Sequence, residues 1–224
     1  RSLYCDEEAL LKRWLERDNG SSSNAAESIK VTREMLSVTV PYEVMLAKML
    51  RAVPTESERL ELVNERDETE RTLLHYAGRA GNPDSIKTIL ALYPKSEHFR
   101  VLSKQDTFGW TVLHCAASSN NPDSIKFILS LYPESERLHV ESIQDRYGTV
   151  VHAATQSDYS ESLETVLRVY PESERLGAVG LQTEENETVL HCAAMSGNFE
   201  TFEFILSLYP ETERLQAVSM KAKD

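Results

Sequence analysis

Apolar positions recur along the chain in short helical patterns separated by turn-forming clusters. Ile86, Ile89 and Leu90 fall at helical spacing, as do Ile125, Ile128 and Leu129. Leu163, Val166 and Leu167, and then Phe202, Ile205 and Leu206, repeat the pattern. A break precedes these runs: Gly81-Asn82-Pro83-Asp84, Asn120-Asn121-Pro122-Asp123 and Gly197-Asn198. Pro at the first helical position with an acid behind it is a helix start signal. Each run closes on a Tyr-Pro pair, at Pro94, Pro133, Pro171 and Pro210. Proline disfavours helical geometry in the residue before it, so a helix ends there.

A second helix precedes each break. It starts near a Thr and carries a His followed by small residues: Thr72-Leu-Leu-His75-Tyr-Ala, Thr111-Val-Leu-His114-Cys-Ala, Thr149-Val-Val-His152-Ala-Ala and Thr188-Val-Leu-His191-Cys-Ala. The histidines recur at intervals of 39, 38 and 39 residues, and each Pro lies 19 residues after its His. The one-residue deletion therefore falls in a connection, and both helices keep their length. Small alanines there let a neighbouring helix come close.

After each Pro comes a shared block, typified by Pro171-Glu-Ser-Glu-Arg-Leu176. The spacing of Leu176/Val179 and of Leu215/Val218 predicts a short extra helical turn. Next, Asp106-Thr-Phe-Gly109 and Asp145-Arg-Tyr-Gly148 fit a tight hairpin. Upstream, Pro54-Thr-Glu-Ser-Glu-Arg-Leu60 is a fifth copy of the block. It points to a degenerate unit over 25–64, with helices near 27–38 and 42–53 and no His. Residues 5–18 read as one amphipathic helix and 19–24 as a flexible linker, giving an N-terminal segment 1–24, a degenerate capping repeat 25–64 and four repeats over 65–224. No cap is legible at the other end.

The motif Asp-x-x-Gly-x-Thr-x-Leu-His-x-Ala-Ala, matched at nearly every position from Asp106 to Ala117, resembles the ankyrin repeat. The resemblance covers about 65–217 and implies an all-α solenoid of stacked helix-turn-helix units with hairpin tips. There are departures. The Pro of Thr-Pro-Leu-His is Val or Leu in all four units, and the turn Gly is Glu70 in the first and Asn186 in the fourth. The period of about 39 exceeds the usual ankyrin period of roughly 33. The extra residues are the Tyr-Pro-Glu-Ser-Glu-Arg-Leu block. That lengthened repeat is similar to those of the ankyrin-repeat effectors that intracellular bacteria such as Legionella inject into host cells. This implies a secreted protein acting in the host cytoplasm.

Charge narrows the partners. Lys and Arg number 24 against 36 Asp and Glu, a net charge of −12. Such a field repels phosphate backbones and anionic membranes, so the expected partner is a protein, with no nucleic acid and no membrane insertion. No apolar run approaches the ~18 residues of a membrane span. Three cysteines, none in a Cys-x-x-Cys, form no disulfide framework and fit a soluble protein of a reducing, intracellular compartment. The chain starts at Arg1 rather than Met and stops just after Val218, where a next turn is due, so both ends read as cut from something longer.

Catalytic candidates are weak. His75, His114, His152 and His191 occur one per unit, about a repeat apart, whereas zinc ligands must lie about 2.0–2.3 Å from one ion. No metal and no cofactor is expected, and in ankyrin-like repeats this His is structural, bonded near the turn and the neighbouring Thr. His98 and His139 read as surface residues. Cys115 and Cys192 follow the repeat His, but the equivalent positions are Tyr76 and Ala153, which marks a packing position. No Gly-rich phosphate loop and no Ser elbow occur, so the chain is not expected to be an enzyme. The Glu-Ser-Glu-Arg blocks read either as a solvated edge with Glu–Arg pairs between repeats, each worth at most ~1 kcal/mol, or as a site for a basic partner.

Function is sought where the units differ. Ankyrin-like arrays bind through their hairpin tips and the inner face of their first helices. There the unit-specific residues are Arg71 and Arg79, then Phe108 and Trp110, then Arg146, Tyr147 and Gln156, and finally Met195. Trp, Tyr and Arg are enriched in binding hot spots, and aromatics on an exposed turn are otherwise wet apolar surface. These residues are expected either to anchor a partner or, for Phe108 and Trp110, to fold back on the neighbouring hairpin. The leading expectation is a monomeric protein-interaction scaffold; the alternative is the recognition arm of a larger enzyme whose catalytic domain lies outside this sequence.

Overall fold

A computed structural model describes residues 31–223; the sequence expectations for 5–18 and 19–24 lie outside them. Five units follow one another, each with three helices. The first holds α1 (Arg33–Thr39), α2 (Glu43–Ala52) and α3 (Glu56–Asn64). The second holds α4 (Leu73–Arg79), α5 (Pro83–Leu90), a 3-10 turn (Lys95–Glu97) and α6 (His98–Leu102). The third holds α7 (Val112–Ala117), α8 (Pro122–Ser130) and α9 (Glu134–Glu141), and the fourth α10 (Val150–Ala154), α11 (Ser160–Leu167) and α12 (Glu172–Val179). The last holds α13 (Val189–Ser196), α14 (Phe199–Leu208) and α15 (Glu211–Ser219). First helices stack on first helices, α4 on α7, α7 on α10 and α10 on α13, and second helices on second helices. The result is an all-α solenoid.

The Thr-x-x-His motif explains how each first helix begins. The Thr72 backbone N–H donates to His75 Nδ1 at 3.1 Å, and the Thr side chain serves the backbone of His75, so the imidazole stands where a capping box usually has Glu. Because Nδ1 accepts, Nε2 carries the proton and donates outward. From His75 it reaches the Lys104 carbonyl at 3.1 Å, from His152 that of Leu181 at 3.1 Å and from His191 that of Met220 at 3.0 Å. The ring thus caps its own helix and ties it to the connection that follows. His114 Nε2 alone of the four has no hydrogen-bond partner, although the Ile143 carbonyl beside it favours its charged form.

Small residues set the spacing between first helices. Ala77, Ala116 and Ala154 are fully buried, and a Cβ on Gly78 would lie 2.8 Å from the Val112 carbonyl oxygen. Second helices start on Asn82, Asn121 and Asn198, whose side chains accept backbone N–H groups of the first turn. Asn82 and Asn121 also donate to the carbonyls of Pro41 and Gly81 in the preceding unit.

Four expectations change. The post-Pro block forms a full helix in four units, not a single turn. Its Arg does not pair with a Glu of the next unit. Arg137 Nε donates to the Leu129 and Tyr132 carbonyls at 3.0 and 3.3 Å, and Arg175 Nε does the same to Leu167 and Tyr170. Arg59 and Arg214 reach Val53 and Tyr209 likewise. The guanidinium satisfies the orphan carbonyls where the second helix ends, against the negative end of its dipole. His98 fills this role in the second unit, bonding the Leu90 and Tyr93 carbonyls, so it is a capping residue and not a bare surface one. The helix expected near 27–38 runs over Arg33–Thr39, capped by Thr32.

Candidate functional site

The hairpin tips are each built on one oxygen-bearing side chain, an Asp in the first three and a Thr in the last. Asp67 Oδ1 accepts the N–H groups of Thr69 and Arg71, and Asp106 Oδ1 those of Phe108 and Trp110. Asp145 accepts from Tyr147, and Thr183 takes the role in the last unit. Each tip then needs a left-handed residue. Gly109 and Gly148 supply it at φ 89° and 112°, and Glu70 and Asn186 adopt it at 63° and 59°. A Cβ on Gly109 would also meet the Asp145 Cβ at 2.6 Å, so successive tips touch there.

Tips are joined in series. Thr107 N–H donates to the Thr69 carbonyl at 2.9 Å and Glu184 N–H to that of Arg146 at 3.4 Å. Between the second and third of these tips the link is aromatic: the Phe108 and Tyr147 rings stand 6.2 Å apart. The Arg71 guanidinium lies 5.7 Å from the Phe108 centroid, and Arg146 lies 5.3 Å from that of Tyr147. A cation–aromatic–aromatic–cation row therefore runs across three tips. Arg71 is further fixed by Asp106, whose fully buried carboxylate accepts its Nε at 3.0 Å.

Behind that row is a cleft of about 250 Å³ lined by Arg71, Arg79, Phe108, Trp110, Tyr147 and Gln156. Six of the eight residues selected from the sequence thus meet in one place, drawn from three units. Arg146 stands beside it on Tyr147, and exposed Met195 lies outside it. Trp110 departs from its expected place on an exposed tip: it is 8% exposed, with its ring 6.1 Å from that of His114. Its backbone closes the hairpin with Asp106, and its carbonyl accepts from His75, which turns the indole inward. Phe108 is half-buried and Tyr147 is 48% exposed, so these two carry the open aromatic surface.

A second cleft of about 370 Å³ adjoins the first, sharing Arg79 and Gln156 and adding Ser118, Ser119, Asn120 and Asp158. Asn120 and Asp158 escaped the sequence reading. Their signal was present: they stand where Gly81 and Gly197 stand in other units, so that position also varies. Asn120 bonds both the Asp158 backbone and its carboxylate.

The titratable groups describe packing. Burial pushes the Cys115 and Cys192 thiols up to about 12, the opposite of an activated nucleophile. Burial lowers His75 and His152 and takes His114 down to about 4. No cluster of His, Cys, Asp and Glu fit to hold a metal ion occurs among the described residues, nor any helix long and apolar enough to cross a membrane.

Residues 46–138 match the family model for ankyrin repeats (3 copies). That stretch is made of ankyrin repeats. It begins within α2 and ends within α9, so it includes the tips of Arg71 and Phe108 and reaches back into the unit without the His. No curated protein matches the chain.

Proposed function

We propose that this protein is an interaction scaffold that docks a partner protein, as a monomer and without catalysis, on the concave side of its tips and first helices. Ankyrin repeats are generally protein–protein interaction modules. The observation that carries the reading is the convergence of Arg71, Arg79, Phe108, Trp110, Tyr147 and Gln156 on one cleft, although their positions differ between units. Residues that only hold the stack repeat, as the Thr-His pair and the capping Arg do. The finer reading is an effector of an intracellular bacterium such as Legionella, delivered to the host cytoplasm to bind a host protein. Its support is the lengthened repeat alone.

The test is affinity capture from host-cell lysate with wild type, the Phe108→Ala/Tyr147→Ala double variant and Met195→Ala. The double variant is expected to lose the captured partner while its melting temperature falls by only a few degrees, since an aromatic pair contributes about 0.5–1.5 kcal/mol beyond its burial. Met195→Ala, outside the cleft, is expected to capture normally. Equal capture by the double variant overturns the cleft as the docking surface.

A further inference from the structure

The two arginines of the cleft are in different states. Arg71 is committed: Asp106 holds it at 3.0 Å and Phe108 lies beneath it. Arg79, the last residue of α4, is exposed, and among the described residues its guanidinium makes no ion pair and no hydrogen bond. It lines both clefts, at their shared edge. The first cleft has no acidic lining residue, so an uncompensated guanidinium stands beside Phe108, Trp110 and Tyr147 in a protein whose total charge is −12. The second cleft is polar, and there the acid is Asp158.

Size and shape limit the occupant. About 250 Å³ is below the ~300–1,000 Å³ that encloses a drug-sized molecule, and the cleft opens into its neighbour. That combination suits one large side chain of an extended chain whose backbone continues along the second cleft past Ser118, Ser119 and Gln156. A carboxylate next to that side chain meets Arg79, whereas one placed further along meets Asp158. We propose that the cleft recognises a linear segment of a partner protein carrying a large apolar residue with an Asp or Glu beside it. The apolar side chain fills the aromatic cleft and the carboxylate pairs with Arg79. This rests on the docking reading above and specifies its ligand. Arg79 is well suited to the role because a carboxylate can engage its fork in two parallel hydrogen bonds.

A phage-displayed library of random linear peptides is selected on wild type, on Arg79→Glu and on Phe108→Ala/Tyr147→Ala, with circular dichroism confirming that each is folded. Wild type is expected to enrich peptides in which Trp, Phe or Leu adjoins Asp or Glu. Arg79→Glu is expected to bind those peptides at least about tenfold more weakly and to enrich Lys or Arg at the acidic position instead. Enrichment that depends on Phe108 and Tyr147 but shows no acidic preference, or is the same on Arg79→Glu, overturns this inference and leaves the docking reading standing. Enrichment indifferent to the aromatic pair, or none above background, counts against both.

Discussion

At the residue scale, what decides a side chain's role is where the local backbone turns it. Phe108 and Trp110 are two positions apart in one tip, yet Phe108 lies over the neighbouring hairpin and Trp110 enters the core. Composition marks both as aromatics on a turn and cannot separate them. The Asp106 side chain, accepting both their N–H groups, and the His75 bond to the Trp110 carbonyl set the difference, and both arise from contacts closed only in the fold. The same scale yields a prediction at the turn. Glu70 holds φ 63°, a conformation that costs a non-glycine residue about 1–2 kcal/mol and costs Asn less. Glu70→Gly is expected to stabilise by up to about 1 kcal/mol after the added freedom of the unfolded chain is deducted. Asn186→Gly is expected to gain less. Chemical denaturation of the two variants beside wild type checks this; a loss on Glu70→Gly would mean that its exposed pair with Arg66 outweighs the backbone strain.

At the element scale, the helices were legible because their signals are local. Thr before the first helix, Asn-Pro-Asp before the second and Tyr-Pro after it each act within one turn, so period and boundaries could be read directly. The third helix was underestimated, because its core-facing positions are few; Val140 and Glu141 are the buried pair of α9, and one of them is charged. The role of the block's Arg was hidden for another reason. A Glu-Ser-Glu-Arg string looks like a salt-bridge motif, and only the fold brings that Arg back, eight residues, to the Leu129 carbonyl. Arg137→Ala is therefore expected to destabilise by about 1–2 kcal/mol, through loss of a charge-assisted cap at a helix C-terminus. His98→Arg should be neutral or stabilising, since it installs the cap of the other units where His now makes it. Melting curves of both variants decide this. If the block worked through Glu–Arg pairs on the surface, Arg137→Ala would be nearly silent and Glu136→Ala would cost as much.

At the scale of the whole molecule, stacking buries ionisable groups that the isolated units would leave wet, and their signs oppose one another. Burial lowers His75, His114 and His152, with His114 at about 4. Below the unfolded value near 6.5 the folded protein binds fewer protons at these rings than the unfolded chain, so their contribution is present above 6.5 and lost as pH falls, for His114 down to about 4. Glu141 acts the other way. It follows Pro133 at the spacing at which Leu102 follows Pro94 and Val179 follows Pro171, and so occupies an apolar core position. Both of its carboxyl oxygens, and the Tyr170 hydroxyl whose titration it perturbs, have no hydrogen-bond partner. Burial pushes it up to about 9, from 4.5 when free. The folded state holds that proton more tightly, so stability is lost as pH rises from about 4.5 to 9. Asp145, raised to about 6 chiefly by burial, has the same sign and offsets part of the histidine loss below that pH. Above 6.5 the rings are neutral in both states and Glu141 acts alone up to 9, so melting temperature should be highest near pH 6.5, falling above it through Glu141 and below it through the histidines, with the two carboxyls reducing the acid-side fall. Glu141→Gln carries no titrating proton and should flatten the alkaline limb while leaving the acid limb intact. Glu141→Leu should also raise stability at pH 7 by about 2 kcal/mol, because it removes an unsatisfied buried polar group and restores the apolar residue of its sister units. Melting temperatures from pH 4 to 9 for wild type and both variants test the account. An alkaline limb that persists unchanged in Glu141→Gln would place its origin elsewhere in the stack.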